Sequence, residues 1–189
     1  MASPNDLIYI KKLRPVVDGP ILEIGSKAVS VASFRDYFVN NDFTGVDIDS
    51  GPGVDVVCDL TNPNHSLPKN HYELVICCSV LEHVATPWLM ADVISDLVRD
   101  GGTLYINCPW VWRYHKYPDD YYRYSFKAIE FLFPKFEWNH HAYSTEVSDT
   151  ITFVDKESDF DRGRAEIINN KKYLPYSIIN MLGVKNVSR

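Results

Sequence analysis

Two histidines, one glycine turn and two strand-end carboxylates are the residues whose chemistry this chain could organise. His83, in "LEHV", and His115, in "RYHKY", carry imidazoles able to take a proton near neutral pH. Each also has a plainer use, His83 as a capping histidine and His115 as a solvated loop residue. The stretch "GPILEIGSKAVS", residues 19 to 30, puts Gly25 directly after an apolar run, where a strand must bend tightly. A dinucleotide turn would continue as G-x-G-x-x-G, letting the backbone approach a pyrophosphate and the helix pack close on the strand. Lys27 and Val29 break that pattern. The turn therefore suits a ligand that has no pyrophosphate. Asp47 closes the next apolar run, 22 residues beyond Gly25, where a carboxylate can accept hydrogen bonds from a ribose diol. Asp59 lies near the end of the third run, placed to meet the exocyclic amine of a purine.

A second group lies between residues 110 and 124, where aromatic and charged side chains alternate without strand or helix periodicity. Trp110, Trp112, Tyr114, Tyr117, Tyr121 and Tyr122 offer flat faces and hydroxyl tips that could line an acceptor pocket. They could equally pack over the sheet edge as an aromatic cluster. Arg113, Lys116 and Arg123 could attract an anion or brace the loop. The adjacent pairs Asp119 with Asp120 and His140 with His141 add little, because neighbours in a strand face opposite ways. Cys58, Cys77, Cys78 and Cys108 sit in or beside apolar runs with no C-x-x-C spacing, and read as buried thiols.

Positioning these residues falls to five apolar runs: 20–25, 43–48, 54–60, 72–78 and 103–109. Most are continuously apolar, the mark of parallel strands covered on both faces. Two crossover helices are expected between them. One starts from a Ser26 cap and shows Val31, Phe34, Phe38 and Val39. The other has Thr86 as cap, Pro87 in its first turn and Gly101 as stop. The sum is an α/β fold, a doubly wound Rossmann-like sheet, mostly parallel with an antiparallel edge. Only five residues, 49 to 53, separate the second and third runs, too few for a helical return, so that connection is shortened and residues 54 to 58 are short or peripheral. After the aromatic loop, a helix over "SFKAIEFLFP" is capped by Ser125 and ended by Pro134. The stretches "FEWNHHAYS" and "TITFVDK" form an antiparallel pair. In the tail, Leu174, Ile178, Met181 and Leu182 recur at helical spacing, predicting a helix docked on the core, with subunit contact in a homodimer as its other use.

Length and an apolar content of 46% suit one domain over 1–189. The net charge is −6, while residues 160–189 carry six basic residues against Asp161 and Glu166. The acidic body argues against nucleic acid as partner. No leader-like segment or apolar run of spanning length is seen, so the chain reads as cytoplasmic, with no membrane partner.

In order and spacing, "ILEIG", "GVDI", "CDL", "YELVICCSVLEHV" and "GGTLYINCP" resemble the class I S-adenosylmethionine-dependent methyltransferases, in particular the small ones of the methyltransferase type 11 group. The resemblance covers residues 20 to about 133. It implies S-adenosyl-L-methionine as cofactor, with Glu23, Gly25 and Ser26 around its methionine part. Asp47 and Ile48 would hold the ribose and adenine, Asp59 and Leu60 the adenine edge, and Cys78 with Ser79 the wall beneath the sulfonium. Some ubiquinone-biosynthesis O-methyltransferases are similar at "LEHV" and bind a divalent metal through E-x-x-E-H. Ser79 replaces the first glutamate here, so no metal is expected. The implied reaction is methyl transfer to an oxygen or nitrogen of a small molecule or saccharide, with His83 and then His115 as proton acceptor. The alternative is a non-catalytic binding module whose cofactor turn has been spoiled at Lys27 and Val29.

Overall fold

Runs that are apolar on both faces need cover on both faces, and the architecture provides it. The computed structural model describes residues 4–13, 15, 17–27, 34–169 and 176–187. In chain order the elements are α1 (Pro4–Leu13), β1 (Ile21–Ile24), α2 (Phe34–Tyr37), β2 (Phe43–Asp47), β3 (Val56–Val57), β4 (Tyr72–Cys78), α3 (Pro87–Leu97) and β5 (Val98–Val111). They continue with α4 (Phe126–Leu132), β6 (Phe136–Ser144), β7 (Ile151–Val154), α5 (Phe160–Asn169) and β8 (Ser177–Lys185). The eight strands form one sheet in the order β3-β2-β1-β4-β5-β8-β6-β7. β3, β2, β1, β4 and β5 run parallel, whereas β8, between β5 and β6, is antiparallel to both, and β7 is antiparallel to β6.

On one face, Leu22, Val46, Val75 and Ile106 pack with Ile94 of α3, Ile129 of α4 and Ile167 of α5. On the other, Ile21, Leu74, Ile76 and Tyr105 pack with Tyr9 and Ile10 of α1 and Phe34 of α2. The sheet is therefore doubly covered, as its continuous apolar runs require. The step from β2 to β3 contains no helix, and β3 has only two residues. Ser125 caps α4 by accepting a hydrogen bond from the Ala128 amide at 3.2 Å. The four cysteines are free thiols, and Cys77, Cys78 and Cys108 are buried.

Four expectations need correction. Between β1 and β2, the only helix among the described residues is the four-residue α2; Phe34 and Phe38 are buried but Val39 is 75% exposed. Val31 lies outside the described residues. Ser26 does not act as a cap among those residues, since its buried Oγ makes no hydrogen bond. Gly101 is not a helix stop: α3 ends at Leu97, Val98 is already extended, and Gly101 supplies a positive φ of 74° within β5. Thr86 precedes α3 as expected but makes no side-chain cap.

The fourth correction is the largest. The tail segment with Ile178, Met181 and Leu182 is the strand β8, not a helix; Leu174 lies outside the described residues. Helical spacing and a continuous apolar run coincide over so short a stretch. What decides is the gap between β5 and β6, whose backbone groups β8 satisfies on both sides. Gly183 fits there because a Cβ would stand 2.8 Å from the Trp138 ring. Asn180, central in β8 and fully buried, accepts from the Tyr105 hydroxyl at 2.9 Å and from Asn107 Nδ2 at 3.0 Å, and donates to Ser144 Oγ at 2.8 Å.

Candidate functional site

Parallel register places the carboxyl ends of β2, β1 and β4 side by side: Ile24 pairs with Val46 on one flank and with Cys77 on the other. Gly25, Asp47 and Cys78 each follow one of those residues, so the three stand along one rim. Gly25 has φ of +73°, and a Cβ there would run into Val80 Cγ2. Only glycine fits this bend. The amides of Gly25 and Ser26 both donate to the Val46 carbonyl, at 2.9 and 3.1 Å.

Asp47 presents its carboxylate beside that turn. Oδ2 accepts from the Lys27 amide and Oδ1 from the Asp49 amide, each at 3.1 Å. Each oxygen keeps acceptor capacity, as a carboxylate oxygen takes two hydrogen bonds. Ile48 next to it is 63% exposed, an apolar face open to solvent. The Lys27 side chain lies over Gly51 and reaches Asp49 Oδ2 at 3.4 Å. Asp59 lies one residue past Cys58, whose amide donates to the Asp47 carbonyl at 2.8 Å. Asp59 Oδ1 accepts from the Thr61 amide and hydroxyl, both at 2.8 Å. The side chain of Leu60 belongs to the core. Glu23 is half-buried in β1, and burial pushes its carboxyl up to about 7. Ser79 directly follows β4 with φ of +54°, an unfavourable region for a non-glycine residue. Asn107 holds it there: the Ser79 amide donates to the Asn107 carbonyl at 2.9 Å and its hydroxyl to Asn107 Oδ1 at 3.2 Å. Asn107 Nδ2 in turn donates to Asp6 Oδ1 at 2.8 Å, tying α1 to the rim.

The two histidines named separately from the sequence meet. His83 closes a 3-10 turn, Leu81–His83, just after β4, and its ring centroid is 4.8 Å from that of His115. His83 Nδ1 lies 2.6 Å from the Asp119 carbonyl oxygen. A carbonyl only accepts, so Nδ1 carries the proton and Nε2 keeps a bare lone pair. Burial holds the His83 imidazole below its usual range, favouring the neutral ring. His115 Nδ1 stands 3.1 Å from Asp120 Oδ2, which also accepts the His115 amide at 2.8 Å. Arg123 grips both oxygens of Asp120, at 2.5 and 2.7 Å, and its hydrogen bonds keep that carboxyl ionised far below the ordinary range. An ionised carboxylate also only accepts, so the neutral ring of His115 too keeps its lone pair at Nε2.

Glu82, read from the sequence only as the carboxylate left in the incomplete E-x-x-E-H run, had no site role assigned to it. Its side chain is 1% exposed, Oε1 lies 3.7 Å from His83 Nε2, and Oε2 is buried without a hydrogen bond. Burial pushes this carboxyl up to about 7. One ligand-type atom each from Glu82, His83 and His115 can be chosen with all three within 4.8 Å of one another. The sequence offered only Glu82 and His83 here. Nothing in the spacing to His115 announces the third.

The aromatic loop makes this meeting. Tyr121 and Tyr122 donate their amides to the Glu82 carbonyl at 2.8 and 3.3 Å, and the hydroxyls of Tyr122 and Tyr124 donate to Ala85 and Leu81 carbonyls, both at 3.0 Å. The aromatics divide between core packing and exposure. Trp110 and Tyr122 pack on the core. Tyr114, Tyr117 and Tyr121 are exposed. Trp112 lies 4.4 Å from the Tyr176 ring and 6.3 Å from His115, and Tyr117 is 6.4 Å from His83.

No family model matches this sequence, and no curated protein does. Solved structures match over nearly the whole chain. A 1,6-didemethyltoxoflavin-N1-methyltransferase of Burkholderia thailandensis, solved with its substrate and S-adenosylhomocysteine, is 13% identical with a TM-score of 0.63, over 97% of this chain and 77% of that one. A protein described as a methyltransferase from Bacillus halodurans is 12% identical, TM-score 0.66, over 97% and 100%. The [4+2]-cyclase SpnF has the same identity and TM-score, over 97% and 81%. At such identities the likeness is one of fold, and the cyclase shows that this fold also serves other chemistry. By sheet order, strand direction and these neighbours, the chain has the fold of the class I S-adenosylmethionine-dependent methyltransferases.

Proposed function

We propose that the chain is a single-domain methyltransferase that uses S-adenosylmethionine to methylate an oxygen or nitrogen of a small molecule or saccharide. The observation that carries this reading is the pairing of the Gly25 bend with the Asp47 carboxylate on the adjacent strand end. The residues fit the cofactor: Gly25 turns the chain sharply and leaves its backbone exposed at the rim, Asp47 retains acceptor capacity for a diol, and Ile48 offers an apolar face. Having no phosphate, the ligand makes no use of the glycines missing at Lys27 and Val29.

When bound, S-adenosylmethionine supplies an electrophilic methyl group on a sulfonium. The chain's own contribution is placement, worth about 7–11 kcal/mol in well-aligned displacements. In the protein alone, His83 accepts the proton released from the acceptor, through the lone pair that the Asp119 carbonyl leaves free at Nε2. Glu23, Ser26, Cys78 and Ser79 shape the wall, Asp59 and Leu60 the adenine side, and the exposed tyrosines of the loop meet the acceptor.

Calorimetry with S-adenosylhomocysteine tests the reading. Saturable binding supports it. No heat at millimolar ligand leaves the non-catalytic module, with Lys27 drawn across the β2 end toward Asp49 as its physical basis.

A further inference from the structure

We infer that Glu82, His83 and His115 form a binding site for a divalent first-row transition-metal ion beside the rim proposed for the cofactor. Three independent features converge on it. Each can supply a donor atom within 4.8 Å of the other two. Ligands held about 2.1 Å from one ion stand roughly 3 to 3.5 Å apart, so the side chains close by about 1 to 2 Å on loading. Both imidazoles, moreover, are already oriented as ligands: each Nδ1–H is held by an oxygen, Asp119 O for His83 and Asp120 Oδ2 for His115, leaving each Nε2 bare. An acceptor on the far nitrogen is what fixes ring and tautomer in metal-bound histidines. The third feature is Glu82, whose Oε2 is buried with no hydrogen bond, an arrangement that costs free energy unless a cation or proton meets it.

The donor set selects the ion. Two imidazoles and one carboxylate suit Zn²⁺, Fe²⁺, Co²⁺ or Ni²⁺ rather than the all-oxygen shells of Mg²⁺ or Ca²⁺. Arg123 is the nearby cation, and its bidentate pairing with Asp120 offsets its repulsion. His115 is the most exposed of the three, at 32% of its side chain, and marks the entry side. Three protein ligands leave positions open for an oxygen-bearing acceptor, whose proton the ion's charge makes easier to lose. With the ion bound, the pair's work thus changes from taking the proton to loosening it. That role rests on the methyl-transfer reading, whereas the site itself does not.

The experiment is a titration of chelator-stripped protein with Co²⁺, followed by visible absorbance. Saturable d–d bands, displaced by Zn²⁺ and insensitive to millimolar Mg²⁺, are expected. His115→Ala and Glu82→Gln should each weaken Co²⁺ binding by about 100-fold or more, since even the outer partners of metal ligands contribute 10- to 100-fold. His141→Ala removes a histidine paired instead with Glu130 at 3.4 Å and should bind as the parent does. No bands at millimolar Co²⁺ overturn the inference, as do parent-like affinity and spectrum in both variants once circular dichroism shows them folded. S-adenosylhomocysteine calorimetry on the same samples separates the two readings. Cofactor without metal defeats the site alone; metal without cofactor defeats the methyltransferase reading alone.

Discussion

The rings of His83 and His115 stand edge to face, 4.8 Å between centroids, with each Nδ1 fixed by an oxygen of the 119–120 segment. If His83 takes the acceptor's proton, metal-free His83→Ala should lower turnover by about 100- to 10,000-fold while S-adenosylhomocysteine affinity stays near the parent's. Burial lowers the pKa of His83, so the acid limb of the parent's pH–rate profile should fall below pH 6.5, the ordinary histidine value. An identical profile in the variant removes His83 from the proton path.

Gly25→Val should abolish cofactor binding. The new side chain meets Val80, and φ of +73° adds strain of about 1–2 kcal/mol for any non-glycine residue. Calorimetry that finds normal affinity would move the binding turn elsewhere.

Asp47→Ala should weaken S-adenosylhomocysteine by about 1–3 kcal/mol, the scale for hydrogen bonds to a charged group. Part of the loss is indirect, because Asp47 also fastens the amides of Lys27 and Asp49. Asp47→Asn, which keeps one acceptor oxygen, should fall between the two. Unchanged affinity in both variants would separate the ribose from this carboxylate.

Glu82 gives a pH dependence of stability. Its folded pKa of about 7 lies above the ordinary 4.5, so its contribution is complete below 4.5 and is lost as pH rises through 7. Glu82→Gln, which cannot ionise, escapes that loss. In metal-free buffer, the Tm of the variant relative to the parent should rise from about pH 5 to about pH 8. Depressed histidines such as His83 act in the opposite sense but are common to both proteins. A constant gap would mean that Glu82 titrates normally.

Asn180→Ala should cost about 1–3 kcal/mol in urea unfolding, since it strips buried partners from Tyr105, Asn107 and Ser144. The loss should also loosen Ser79 through Asn107, weakening S-adenosylhomocysteine. A stability equal to the parent's would show the network to be dispensable.

What the sequence made legible follows from how local each signal is. β1, β2, β4 and β5 were readable because each is an apolar run bounded by turn residues, and Gly25 and Asp47 because they punctuate those runs. The antiparallel half was readable in β6 and β7, but not in β8. Ile178, Met181 and Leu182 satisfy a helical period and a buried strand alike, and the choice between them is made by β5 and β6, far away in the chain. Gly183 and Asn180 inside the run were the available hints, both poor helix formers. α1 went unread because two of its buried residues, Asn5 and Asp6, are polar and signal no apolar stripe. Glu82 and the His83–His115 meeting were hidden for a related reason: they depend on hydrogen bonds that strap the aromatic loop onto residues 81–85.

The late arrival of β8 in the sequence has a consequence during synthesis. Until residue 185 clears the ribosome, β5 and β6 cannot be joined through it, and each is left with a raw edge of unpaired amides and carbonyls. A nascent chain stalled before that point would be prone to clump with its neighbours, so the emergence of β8, rather than that of the parallel strands before it, governs when this sheet becomes safe from aggregation.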